Sequence, residues 1–323
     1  MKHLQVLVLV LSAMLSLASP AGAQTDAYPS RVVRFVVPIG PGSSGDVITR
    51  ALADRFRALT GQPAIVENRA GGDLVIATQH MLNSPADGYT VLMVTSSIMI
   101  LNPMYIKGLP YKVEDVRPVA QLTRHMAVLV TSTASKFNTL SELIAAAGSK
   151  PGAVGIGTYG NYYRLGAITL ARRAGVEFGL VPYKGAAQVV ADVVNGSVDV
   201  ALVDPAAATA LITAGKLRAL AVTGTNRYQS LPGVPTVAES GFPGYDLYTF
   251  LGFAVHAQTP EPVARRLEQL ILQVAEQPEF RDFIARQGGA ELVGSGAREF
   301  SAVIDAETKR YRELAKSVGD VIF

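Results

Sequence analysis

The chain has no cysteine and no tryptophan among its 323 residues. Without thiols there can be no disulfide framework, no cysteine nucleophile and no thiolate metal site. Charge of one sign is also scarce: 29 Lys and Arg against 26 Asp and Glu leave a formal net charge of +3. That balance, with no basic run or RNA-binding signature, gives no reason to expect a nucleic-acid partner. Beyond the first two dozen residues no apolar run approaches the ~20 residues that a spanning helix needs. The histidines that follow, His80, His125 and His256, stand in unlike contexts with no HExxH or comparable metal spacing. No metal and no cofactor is therefore expected.

What is present begins with an export signal. Lys2 is followed by a largely apolar run from Leu4 to Leu17 and then Ala21-Gly-Ala23 before Gln24, the A-x-A pattern of a cleaved signal peptide. Cleavage after Ala23 predicts a periplasmic protein of about 300 residues with a net charge of +2, long enough for two domains of ordinary size.

Val- and Ile-rich runs then alternate with segments of helical period, as in VVRFVVP before DVITRALADRFRAL, the rhythm of an α/β protein with largely parallel sheets. In the first helical segment Ile48, Leu52, Phe56 and Leu59 form one apolar stripe. A second α/β series runs from MAVLVTS to LRALAVTG, with helix-ending Gly196 and Gly215. A Pro-Gly tract, Leu231 to Gly244, precedes the apolar run LYTFLGFAVHA and two polar-faced helices. The expected division is 24–124 plus 245–323 for domain 1 and 125–244 for domain 2, with the terminal set read as helical and without a sheet of its own. Two crossings between domains leave a cleft that can hinge around a ligand.

Candidate ligand contacts lie where strands turn into helices. Gly40-Pro-Gly-Ser-Ser-Gly-Asp46 matches GxGxxG, and Glu67 stands where a ribose-binding acid would. A dinucleotide is disfavoured because Pro38 and Pro41 stiffen the turn, Pro41 removes a donor, and the exported destination holds little soluble nicotinamide. A glycine-rich turn feeding a helix nonetheless presents free N–H groups and the positive end of the helix dipole to an anion. Ser43 with Asp46 resembles a capping box in which Asp replaces Glu. The second such turn is Thr158-Tyr-Gly-Asn-Tyr-Tyr-Arg164, with Asn161 a candidate N-cap, Arg164 a planar fork for a carboxylate, and Tyr162 and Tyr163 able to line an apolar part of a ligand. Thr95-Ser96-Ser97 and Asp204 end two further strands; turn formation and helix capping are the plainer roles for them. Lys184, after Tyr183, could reach an anion, with a surface lysine the plainer reading.

With these residues in place, the chain resembles the tripartite tricarboxylate transporter substrate-binding proteins, the Bug-type periplasmic solute receptors. The likeness rests on Tyr28-Pro-Ser-Arg, Val37 to Asp46, Val66-Glu-Asn-Arg69, Pro85-Ala-Asp-Gly-Tyr-Thr90, Leu101-Asn-Pro103, Pro182-Tyr-Lys-Gly185, Gly215 to Val222 and Val234-Pro-Thr-Val-Ala-Glu239. It implies a Venus-flytrap fold of two α/β domains, each a mixed, mostly parallel sheet flanked by helices, that closes on a carboxylate. The ligand-binding residues it implies are Ile39, Gly40, Gly42, Ser43, Ser44, Ser96, Thr158, Gly160, Asn161, Tyr162, Tyr163, Arg164 and Asp204. A monomer working with membrane transporter subunits or a sensor protein is expected. The chain departs from the family where Gly72-Asp-Leu-Val75 replaces a glycine-rich run with Asn, and where Asn161-Tyr-Tyr-Arg-Leu165 replaces small residues and a histidine. Those departures favour an aromatic or bulky carboxylate over a small amino acid, and direct contact with Arg164. The alternative, an exported hydrolase using Ser43 or Ser44, lacks GxSxG, because Asp46 and not glycine follows Ser44 at the second position.

Overall fold

The computed structural model describes residues 28–287 and 289–318, with side chains to residue 313. The signal-peptide reading falls on residues outside that range.

The first strand, β1 (Val33–Val37), buries every residue but Arg34, as a parallel strand covered on both faces does. The chain turns into α1 (Ser44–Thr60), where the Ser43 hydroxyl accepts from the Asp46 N–H and Gly61, at φ 70°, closes the last turn by donating to the Arg57 carbonyl. Only glycine enters that left-handed conformation without a steric penalty. Ile48, Leu52 and Phe56 are fully buried, whereas Leu59, expected in the same stripe, is 41% exposed. The segment continues through β2 (Ala64–Asn68), α2 (Val75–Leu82) and β3 (Thr90–Thr95). The stretch read as a loop at Asn102-Pro is a π-helical turn, Ser97–Leu101, running into the short α3 (Asn102–Tyr105).

The second half of the first sheet is made from strands far apart in sequence. β4 (Val116–Met126) pairs antiparallel with β10 (Tyr248–His256) and with β11 (Ala290–Gly296). The order is β11-β4-β10-β3-β1-β2, so the terminal segment contributes two strands as well as α8 (Glu261–Glu276), α9 (Pro278–Arg286) and α10 (Ala297–Val318).

The second sheet comprises β5 (Val128–Ser132), β6 (Gly155–Thr158), β7 (Gly179–Pro182), β8 (Val200–Val203) and β9 (Leu217–Val222), in the order β7-β6-β8-β5-β9. Its crossovers are α4 (Leu140–Ser149), α5 (Gly160–Ala174), α6 (Ala186–Asn195) and α7 (Pro205–Thr213). Both sheets are mixed. Pairs β1–β2, β1–β3, β6–β7 and β6–β8 are parallel, while β5 and β10, the strands entered just after each crossing, pair antiparallel with both neighbours.

The β5 strand shows how the cores are shared. Leu129 faces a core that takes in Val36, Leu92, Leu165, Leu202 and Phe300 from both sheets and the helices between them. Val128 and Val130, on the opposite face by the two-residue period of a strand, pack with Val189, Val193 and Ala208 on the outer side of the second sheet. A third core covers the other face of the first sheet, through Phe35, Ile48, Phe56, Leu267 and Ile271.

Only Ala127 separates β4 from β5, and there the two crossings are tied side by side. Ala127 N–H donates to Thr223 Oγ1 at 2.8 Å, and that hydroxyl donates to the Leu247 carbonyl at 2.9 Å. Thr223 N–H returns to the Ala127 carbonyl and Leu247 N–H to the Thr223 carbonyl. A four-bond clasp between two crossing strands is the natural place for a hinge.

Candidate functional site

The loop 39–44 is braced from beneath by one buried carboxylate. Asp46 accepts from Gly42 N–H at 3.0 Å and from Asn68 Nδ2 at 2.8 Å, and pairs with Arg50 at 2.9 Å. Burial raises its pKa, but the Arg50 guanidinium, the Gly42 N–H and the Asn68 amide together hold it below the usual carboxylate value. Asn68 also donates to the Ile39 carbonyl, and Ser43 Oγ donates to the Gly40 carbonyl. The capping box is thus altered: Asp46 reaches back to Gly42 N–H, leaving Gly42 at φ 81°, where a side chain would strain the turn.

The turn 158–164 lies opposite. Tyr159, not Asn161, precedes the helix, and no side chain caps it; α5 begins at Gly160. Asn161 is buried in the first turn because its amide is engaged elsewhere, donating to Asn102 Oδ1 at 2.7 Å. Tyr162 is core: its hydroxyl donates to the Leu247 carbonyl at the crossing and its N–H to Ser97 Oγ at 3.1 Å. Tyr163 lies against Tyr159, with ring centroids 4.3 Å apart, and edge-on to Tyr162. Arg164 donates to Asn161 Oδ1 at 3.1 Å and its other terminal nitrogen lies 3.7 Å from Asp73 Oδ1. Asn102 Nδ2 in turn donates to the Asp73 carbonyl. Asp73, Asn102, Asn161 and Arg164 therefore close a polar ring between a segment before β4 and the start of α5.

The first turn touches the segments that follow β8 and β7. Ser44 N–H, at the first position of α1, lies 3.3 Å from Asp204 Oδ1, at the end of β8. A Cβ placed on Gly185 would stand 3.7 Å from the Gly40 nitrogen. Asp204 caps α7 by accepting from Ala207 N–H, as its position foretells, and also accepts from the Tyr159 hydroxyl at 2.5 Å. Burial drives its pKa up, against the opposing pull of the Tyr159, Ala207 and Ser44 donors. Thr158 is buried at the end of β6.

Of the strand-end serines, Ser96 is fully buried, its N–H held by Thr249 Oγ1, and it is Ser97 that reaches α5. Ser97, Asp73, Asn102 and Gly185 are contacts that sequence reasoning left out of the site. All four stood inside stretches singled out there, but nothing local distinguished them from their neighbours.

Ser44 Oγ lies 3.5 Å from His125 Nδ1, and His125 Nε2 lies 2.5 Å from Thr123 Oγ1. Burial lowers the His125 pKa to about 4, so the ring is neutral at neutral pH and a weak base. Among the described residues no group of three or more His, Asp or Glu could hold a metal ion, and no helix is long and apolar enough to cross a membrane.

Residues 48–319 match the model of the tripartite tricarboxylate transporter family receptor. A protein encoded between tcbD and tcbE in Pseudomonas sp. strain P51 is 32% identical over 92% of this chain and 89% of its own length. Protein BugT of Bordetella pertussis is 31% identical over 99% of this chain and 98% of its own. Among solved structures, R. palustris Rpa4515 with adipate superimposes with a TM-score of 0.86 at 28% identity, covering 90% of this chain and 98% of that one. The periplasmic binding protein BugD gives 0.84 at 26% identity, covering 90% and 99%. Two mixed sheets joined by a double crossing, with strand-to-helix turns meeting between them, are thus the periplasmic solute-binding fold, and the chain belongs to the tripartite tricarboxylate transporter receptor family.

Proposed function

We propose that this protein is exported by cleavage after Ala23 and captures a small carboxylate between its two lobes, residues 24–124 with 245–323 and residues 125–244. The observation that carries this reading is the N-terminus of α1, where Ser44 N–H faces the opposite lobe and already meets a carboxylate oxygen there. Free N–H groups and the helix dipole favour an anion at that place. The ligand contacts come from Ile39, Gly40, Gly42, Ser43 and Ser44 on one side and from Thr158, Gly160, Asn161, Tyr163 and Arg164 on the other. Asp204 stands beside them, while Ser96 and Tyr162 support the site from the core. That the relative from R. palustris holds adipate supports the same class of ligand.

The receptor acts as a monomer that presents its closed two-lobe surface to membrane transporter subunits. The low pKa of His125 and its distance from Ser44 give no base for hydrolysis, so binding without turnover is the expected behaviour. A ligand at one hundred times its dissociation constant should stabilise the fold by about 2.7 kcal/mol, a shift of a few degrees for a chain of this size. Thermal shifts of refolded, ligand-stripped protein with aliphatic dicarboxylates, tricarboxylates, aromatic carboxylates, acidic amino acids and NAD form the test. A selective rise with one carboxylate class is expected, and the aromatic arm decides whether Tyr163 shapes the choice. A rise with NAD alone would refute the reading.

A further inference from the structure

Asp204 does more than a helix cap requires. A cap needs one side-chain oxygen and one N–H of its own helix, and Asp204 Oδ1 supplies that to Ala207. The same oxygen also faces Ser44 N–H of the opposite lobe at 3.3 Å. Its partner Oδ2 accepts from the Tyr159 hydroxyl, which in turn accepts from Asp204 N–H, so the carboxylate is aimed at α1 while the lobes are together. The residue is 3% exposed. Behind it, Pro205 abuts the first lobe: a Cβ on Gly289 would fall 2.4 Å from Pro205 Cγ.

We infer that Asp204 is an internal surrogate for the ligand carboxylate: it occupies the amino end of α1 when no solute is bound, draws the lobes together, and must be displaced when a solute carboxylate takes that N–H. The inference rests on the proposed seat of the ligand at α1. Two carboxylates cannot share one N–H without mutual repulsion, so a solute binds by exchange. Its affinity then reports the difference between its own contacts and those of Asp204. An aspartate beside an anion site thereby raises the threshold that a solute must pass, and excludes anions that bind Ser44 N–H less well than Asp204 does.

The test uses Asp204→Asn, which keeps the shape and the helix cap but replaces the carboxylate by a neutral amide. The chain lacks cysteine, so Ala58→Cys on α1 and Gln188→Cys on α6 accept spin labels cleanly, both sites being exposed. In the ligand-free state the label-to-label distance distribution of Asp204→Asn should move to longer values than in the parent. The carboxylate selected by thermal shift should bind about fivefold more tightly, the ratio expected when a charged hydrogen bond is replaced by a neutral one. Tyr159→Phe, which frees one oxygen while keeping the aromatic packing, should move both readouts in the same direction by less.

An unchanged distance distribution overturns the clasp. Weaker carboxylate binding in Asp204→Asn overturns the exchange, since Asp204 would then be holding the ligand itself. If no carboxylate binds either protein, the proposed function fails, yet the distances still decide whether Asp204 closes the lobes.

Discussion

Acid should destabilise this protein through one buried imidazole. His125 lies in β4 between β10 and β11, where its backbone pairs with Thr249 and Ala290, and it is 5% exposed. Burial pushes its pKa from 6.5 to about 4. In the unfolded chain the ring takes up a proton as pH falls through about 6.5, whereas in the folded protein it does not until about 4. Between those values the unfolded state binds more protons, so stability falls with pH. The contribution is intact above about 6.5, declines across the interval and levels off below about 4. Fully developed it amounts to about 3 kcal/mol, and by pH ~4.5 roughly 2.5 kcal/mol of it should have been lost. Asp204 acts in the opposite sense, because its raised pKa lets the folded state take up a proton first. The comparison must therefore be with a variant that keeps Asp204. Urea unfolding of the parent and of His125→Asn, followed from pH 7.5 to 4.5 and extrapolated to water, provides it, since His80, His256 and every carboxylate are common to both. The parent should lose about 2.5 kcal/mol more than the variant. Parallel curves would show that the ring is hydrated or already paired with an acid, and would refute the burial argument.

Two further outcomes follow from contacts between the lobes. A double-mutant cycle on Asp73→Ala and Arg164→Ala, read by urea unfolding, should give a coupling of about 0.5–1 kcal/mol, modest because the charges stand 3.7 Å apart with side chains 35% and 19% exposed; additive losses would show that the pair merely lies close. Thr223→Val removes the acceptor of Ala127 N–H and the donor to the Leu247 carbonyl while keeping the shape of a buried side chain, and should cost about 2–3 kcal/mol. A loss below about 0.5 kcal/mol would mean that the crossing does not depend on this hydroxyl.

Features set by near neighbours along the chain are legible in the sequence itself. Ser43, Asp46 and Gly61 bound α1 through bonds that span at most four residues. The strand β11 could not be read so: Ala-Glu-Leu-Val-Gly-Ser-Gly has a single β-branched residue, and its extended form comes from pairing with β4, some 165 positions earlier by the Ala290–His125 register. Tertiary pairing overrides weak local preference in such a segment.

Two long-range contacts beside the site are hidden from sequence reading for a subtler reason. Asn161 and Asp204 each carry a true local signal, that of a helix cap, and a distant partner that the signal conceals. For Asn161 the distant partner won: its amide bonds to Asn102, 59 residues away, and the helix begins without it. For Asp204 both hold, because a carboxylate oxygen has two lone pairs and can serve Ala207 N–H while facing Ser44 N–H, 160 residues away. A cap therefore leaves an aspartate oxygen with a second acceptor position for a distant donor. In this chain Asp204, the acidic cap that ends β8, is consequently the residue whose second contact the sequence hides, and its replacement by asparagine removes the charge from that contact while keeping the cap.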